Sequence, residues 1–200
     1  MVYRSQRGGR LLYSCPMTVP MEHEMKFPVA DLDALRRRLG ELGGVLRSPM
    51  SHEQNWVLDD PTRRLALQGV LLRVRRSGSA AFLTFKGKAR MAGGVKSRDE
   101  IECRVEDAGQ VVAILARLGL APVRRYEKRR ETWGLGPVVV ALDETPMGTF
   151  VEIEGPPEAL APAAAALGLE PERALAGTYL DLWEAYRRRH PEAPADMVFA

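Results

Sequence analysis

The chain has 200 residues, 46% apolar and 28% charged, with a net charge of +3. That composition supports a folded core and excludes disorder as the main state, and no apolar run approaches the roughly 18 residues of a membrane-spanning helix. Arg4, Arg7 and Arg10 fall in the first 20 residues without an acid. The remainder is therefore charge-neutral and lacks the overall basic footprint of a nucleic-acid binder.

Residues 1–20 contain no continuous apolar segment suited to a signal peptide. They are read as a disordered or non-native leader, with translation from Met17 or Met21 as the alternative. Two cysteines, Cys15 and Cys103, cannot build a disulfide framework and suit reduced thiols in a cytoplasmic protein.

A first strand is predicted at Met21–Pro28. Asp31 then caps a helix with Leu32, Leu35, Leu39 and Leu42 on one stripe, stopped at Gly43-Gly44. Strands come next at Val45–Leu58, Val70–Arg76 and Ala80–Lys88, the last two joined by a Ser77-Gly78-Ser79 turn. A glycine-rich connection, Ala89–Gly94, is either a hairpin loop or a flap over a site. It lacks the ending of a phosphate-binding P-loop. Lys96–Val105 is a strand, and Asp107 caps a helix with Val111, Ile114, Leu115 and Leu118 on its stripe. Strands resume at Val123–Trp133, Val138–Asp143 and Thr149–Glu154, and helices at Pro157–Leu167, Pro171–Ala176 and Tyr179–Arg189 finish the chain. A weak repeat is visible: Glu22-x-Glu24, Glu100-x-Glu102 and Glu152-x-Glu154 each precede an amphipathic helix ending in Leu-Gly. Eight or so strands with local antiparallel connections predict an α+β fold, a closed or nearly closed barrel with helices outside.

Residues two apart on a strand share a face. One face therefore collects Glu22, Glu24 and Lys26; Arg73 and Arg75; Lys86 and Lys88 with Thr84; Lys96, Arg98, Glu100, Glu102 and Arg104; Lys128 and Arg130; Asp143; and Glu152 with Glu154. Such faces are ordinarily solvated and laced with weak ion pairs. Here they carry almost no Ser, Thr, Asn or Gln dilution, and the apolar faces have amphipathic helices available to cover them from outside. Turned inward, this much charge is costly without a ligand that satisfies both signs. A polyanion answers the cations, and Mg²⁺ or Mn²⁺, hard ions that take oxygen ligands, answers the carboxylates.

With those residues assembled, the sequence resembles a known superfamily. Glu22-His23-Glu24-Met25-Lys26 matches the ExExK motif of the CYTH domain, shared by class IV adenylate cyclases and thiamine triphosphatases and also called the triphosphate tunnel metalloenzymes. Leu72–Arg75, Leu83–Lys86, Arg98-x-Glu100-x-Glu102, Lys128-x-Arg130, Leu142-Asp143 and Gly148-x-Phe150-x-Glu152-x-Glu154 come in the family's order, and Thr178–Leu182 resembles its late helix. The resemblance spans about residues 21–185. It implies an eight-stranded tunnel domain over 21–189, with a tail at 190–200.

The resemblance further implies metal binding by Glu22, Glu24, Asp143, Glu152 and Glu154, and phosphate contacts from Lys26, Arg73, Arg75, Lys86, Arg98, Lys128 and Arg130. Glu24, Lys86 and Glu152 become the candidate catalytic residues, with Lys88, Lys96, Glu100 and Glu102 lining the tunnel. The implied substrate is a small triphosphate (ATP, inorganic triphosphate or thiamine triphosphate), with no nucleic acid or membrane partner, and a homodimer is left open. Class IV cyclisation of ATP to cyclic AMP and pyrophosphate leads; phosphohydrolysis and non-catalytic sensing of a polyphosphate or nucleotide are the alternatives. One departure is Leu58, where the family commonly carries Phe in a Tyr-Phe-Asp stretch, which puts contacts at the tunnel mouth in question.

Overall fold

A computed structural model describes residues 19–200; Cys15 and all but the last two residues of the leader lie outside them. Within the described residues, nine strands and five α-helices occur in the order β1 (Met21–Val29), α1 (Leu32–Glu41), β2 (Val45–Asp59), α2 (Arg64–Leu67), β3 (Leu71–Ser77), β4 (Ala80–Lys86), β5 (Arg90–Ala92), β6 (Val95–Val105), α3 (Ala108–Arg117), β7 (Ala121–Leu135), β8 (Val138–Thr145), β9 (Gly148–Glu154), α4 (Pro157–Ala166) and α5 (Tyr179–Arg187). The sheet runs β1-β9-β8-β7-β2-β3-β4-β6, and β6 pairs back onto β1, so eight antiparallel strands close a barrel with β5 attached as a ninth.

Closure inverts the usual arrangement of polar and apolar faces. On β1, Met25 and Phe27 point outward and are almost wholly buried beneath α1 and α4, together with Leu39, Val140, Leu142, Val151, Ile153 and Leu160. Asp31 caps α1 by accepting from the Ala34 amide at 2.8 Å, and Asp107 caps α3 by accepting from the Gln110 amide at 2.9 Å. Gly43 and Gly119 succeed the two helices with φ of +76° and +84°, a conformation that favours glycine at the helix stop. The first two copies of the sequence repeat thus share strand, capped helix and left-handed stop, and the third ends at Gly168 without a capping side chain at its start.

Several boundaries differ from expectation. Gly93-Gly94 turns a short hairpin between β5 and β6 within the glycine-rich connection. Pro171–Arg173 forms a 3₁₀ turn in place of the predicted helix. The α3 stripe is rotated: Ala108, Val111, Val112 and Leu115 pack inward, whereas Ile114 and Leu118 face solvent. The unpredicted α2 exists because the Asp59 carboxylate accepts from the Leu65 and Ala66 amides at 2.9 and 3.0 Å. Leu58 sits in the outer core against Val74 and also borders the groove beside α5. The tail is tied down at Met197, fully buried, which exchanges backbone hydrogen bonds with Arg125 and Glu127 on β7.

Leu39, completely buried between α1 and the barrel wall, tests this outer core. Leu39→Ala is expected to cost about 2–5 kcal/mol, lowering the urea midpoint at unchanged slope.

Candidate functional site

The inward faces enclose a cavity of about 200 Å³ lined by eight Lys or Arg residues and six carboxylates. Three knots of charge build it.

The first joins β1, β4 and β6. Lys86 Nζ lies 2.9 Å from both Glu22 and Glu100, Arg98 Nε donates to Glu22 at 2.8 Å, and Lys96 Nζ to Glu24 at 2.7 Å. Burial opposes ionisation of Glu22, but Lys86 and Arg98 outweigh it and hold its carboxyl well below the usual range. Glu100 moves the other way: burial and the neighbouring Glu22 raise it against the pull of Lys86.

The second knot joins β7, β8, β9 and α5. Asp143, fully buried just behind the cavity wall, accepts from Arg130 Nε at 2.7 Å, Lys128 Nζ at 3.2 Å and the Tyr179 hydroxyl at 2.5 Å. Arg130 also bonds Glu152, which Lys26 Nζ approaches to 3.1 Å. The Tyr179 ring lies 4.0 Å from the Lys26 ammonium and 5.1 Å from that of Lys128, a cation–π placement. Burial, Asp143 and Glu152 push the Tyr179 phenol well above its ordinary pKa, so it remains a donor. A Thr178–Asp181 capping box fixes the start of α5, and Thr178, Tyr179 and Leu180 thereby line the cavity at one end of the barrel.

The third knot joins β2, β3, β6 and β7. Arg75 reaches Glu53 at 3.1 Å and Glu102 at 2.9 Å; Arg73 donates to the Tyr126 hydroxyl at 3.0 Å and Thr84 Oγ1 at 3.3 Å. Burial would raise the Glu53 carboxyl, yet Lys128, Arg130, Arg75 and Arg73 bring it down to about 2. Among the described residues, four buried side-chain atoms lack a hydrogen-bond partner, and all lie here: Arg73 Nε, Arg75 Nε, Glu53 Oε2 and Asn55 Oδ1. Buried polar groups are nearly always satisfied, so two guanidinium donors without acceptors beside one cavity stand out.

The structure brings Glu22, Glu24, Lys26, Arg73, Arg75, Lys86, Lys96, Arg98, Glu100, Glu102, Lys128, Arg130, Glu152 and Glu154 around one cavity, with Asp143 directly behind. Lys88 is the correction. β4 ends at Lys86, and Lys88 is exposed, packed near Gly69 at an outer groove. Glu53, Asn55 and Tyr126 join the site without having been expected there, although alternation alone places Glu53 with Asn55 and Tyr126 with Lys128. Tyr179 carries no such signal, because a helix end delivers it.

Among the described residues no three acidic, His or Cys side chains already converge as a metal cluster. The donor chemistry nevertheless fits a hard divalent ion. Glu24 and Glu154 are direct cross-strand partners of β1 and β9, and such like-charge pairs oppose pairing. Burial, Glu22 and Glu100 raise the Glu154 carboxyl to about 7, while its position at the solvent-exposed rim screens part of that effect. Because the folded-state pKa lies above the unfolded value, ionised Glu154 lowers stability as pH rises toward and past 7. In chelator-treated protein, Glu154→Gln is therefore expected to raise the melting temperature more at pH 8 than at pH 5. An equal shift at both values would contradict the assignment.

The CYTH domain model matches residues 20–166. A candidate adenylate cyclase of Vibrio parahaemolyticus is 19% identical over 82% of this chain and 98% of its own, with a TM-score of 0.74. A Pyrococcus horikoshii protein is 27% identical over 83% and 99%, at 0.69. An adenylyl cyclase candidate from Hippeastrum, described as revealing a dominant triphosphatase activity, is 18% identical over 82% and 96%, at 0.63. No curated protein matches in sequence. The barrel, its inward charge and the extent of the match agree: this chain belongs to the CYTH domain family.

Proposed function

We propose that this protein is a divalent-metal-dependent enzyme that binds a triphosphate inside the barrel, with class IV cyclisation of ATP as the leading reaction. The observation that carries the binding reading is one cavity lined by eight cations, beside which Arg73 Nε and Arg75 Nε have no acceptor. Phosphate oxygens satisfy such donors by short charge-assisted bonds.

Every cation in the tunnel is held by a carboxylate, and ligand binding on this reading is an exchange of partners. The polyanion draws Lys26, Arg73, Arg75, Lys86, Arg98, Lys128 and Arg130 to its oxygens. Glu22, released from Lys86 and Arg98, and Glu152, released from Lys26 and Arg130, would hold Mg²⁺ or Mn²⁺ together with Glu24 and Glu154, and Asp143 keeps Arg130 and Lys128 aimed from behind. The family is in general divalent-metal dependent; when bound, the ion neutralises phosphate and leaving-group charge. Glu24 and Glu152 act by holding it, and Lys86 by gripping the phosphate chain. Lys96 and the carboxylates Glu100 and Glu102 balance the tunnel's charge when the grip changes. In cyclisation the ribose 3′-oxygen attacks the α-phosphorus and pyrophosphate leaves. The second reading, hydrolysis by water at a terminal phosphorus, draws support from the triphosphatase description of the Hippeastrum neighbour.

No helix among the described residues is long and apolar enough to cross a membrane, and a free, exposed Cys103 thiol suits the cytoplasm.

Product analysis with ATP and with inorganic triphosphate, each with Mg²⁺, Mn²⁺ or chelator, tests the proposal. Cyclic AMP with pyrophosphate is the expected result. Orthophosphate without cyclic AMP would assign the hydrolase, and binding without turnover a sensor. Lys86→Ala removes one charge-assisted bond and is expected to weaken triphosphate binding about ten- to a hundredfold; Glu24→Ala and Glu152→Ala are expected to abolish metal-dependent turnover.

A further inference from the structure

Strand β7 outruns its neighbour. β2 pairs with it from Ala121 onward, but β8 joins only at Arg129. Over Arg125–Glu127 the edge turned away from β2 is taken instead by the segment that follows α5. Met197 donates its amide to the Arg125 carbonyl at 3.2 Å and accepts from the Glu127 amide at 2.7 Å, forming a parallel bridge opposite Tyr126. Asp196 Oδ1 accepts from the Arg125 amide at 2.9 Å. Three backbone groups of that edge thus find partners in two successive residues. From α5, Trp183 Nε1 donates to the Pro194 carbonyl at 3.3 Å and holds the start of the segment.

Bridged residues point to the same side of a sheet. Tyr126 faces the cavity, so Met197 is turned inward behind the cavity wall. It is completely buried, in one cluster with Tyr126, Phe150, Tyr179 and Trp183. The Tyr126 hydroxyl in turn accepts from Arg73 at 3.0 Å, and Thr84 Oγ1 accepts from the same guanidinium at 3.3 Å. An unbranched, polarisable side chain suits the irregular space between aromatic rings. We propose that Met197 is a positioning residue for the phosphate site: it fixes the Tyr126 ring, and the Tyr126 hydroxyl keeps Arg73 aimed at the cavity. Asp196 acts with it by pinning the segment to β7. Both residues lie beyond the 20–166 span of the CYTH match. The assignment rests on the triphosphate reading above and extends its machinery to a segment outside the tunnel wall.

Calorimetric titration with the bismethylene analogue of inorganic triphosphate, whose P–C–P bridges resist cleavage, is paired with melting temperatures. Met197→Ala and Tyr126→Phe are each expected to weaken the analogue about fivefold, and the double variant no more than either alone. Met197→Leu keeps the volume and is expected to stay within about twofold of wild type. Leu39→Ala, in the outer core, is expected to lower the melting temperature comparably while leaving affinity within about twofold. Asp196→Ala loosens the segment without opening a cavity and is expected to weaken the analogue about threefold; it carries the test where Met197→Ala fails to fold. Unchanged affinity in the folded variants, or losses that multiply in the double variant, would overturn the positioning role. An equal loss in Met197→Leu would do the same. Failure of wild-type protein to bind the analogue would instead sink the triphosphate reading itself, and the assignment with it.

Discussion

The energetics of this protein turn on keeping charges apart from water. Eight cations and six carboxylates line one small cavity, and Glu53 and Asp143 stand buried behind them. An isolated buried charge costs several kcal/mol even after relaxation, so no member of the set can stand alone. The barrel answers with a network in which most charges touch two or more opposite ones. Arg130 spans Asp143 and Glu152, Lys86 spans Glu22 and Glu100, and Arg75 spans Glu53 and Glu102. Such a network holds the side chains in place more than it stabilises the fold, because Coulomb attraction inside the barrel mainly offsets desolvation.

Stability must then come from elsewhere, and the exterior supplies it. With the polar faces turned in, each strand offers its apolar face outward, and α1, α4 and α3 cover those faces. Met25, Val140, Val151 and Ile153 are the hydrophobic core, although they lie on the outside of the sheet. The helix caps at Asp31 and Asp107 and the glycine stops are therefore coupled to the site at a distance. They place the helices that bury the backs of the strands whose fronts carry the charge.

Much of this was legible in the residues. Period-two alternation fixed which side chains share a face, and Asp31 and Asp107 announced their helices. The helices also decided between a wet sheet and an inward-facing one, because apolar faces on every strand need cover. Other features depended on three-dimensional coincidence. Lys88 continues the alternation of Thr84 and Lys86, yet the strand stops at Lys86 when Gly87 donates its amide to the Asp99 carbonyl. The α3 stripe includes Ile114 and Leu118 by period, but the helix turns Ala108, Val111, Val112 and Leu115 toward the barrel and leaves those two in solvent. Tyr179 is the clearest case. It reaches Asp143 from a helix 36 residues further along the chain, and nothing in local sequence pattern encodes that meeting.

That contact also makes the ends of the tunnel unequal. Tyr179 binds three cations into a unit, Lys26 and Lys128 by its ring and Arg130 through Asp143, while the end away from α5 is lined by hydroxyls and Phe82. The two ends of the barrel differ in their lining, so the two orientations of a phosphate chain along it are not equivalent.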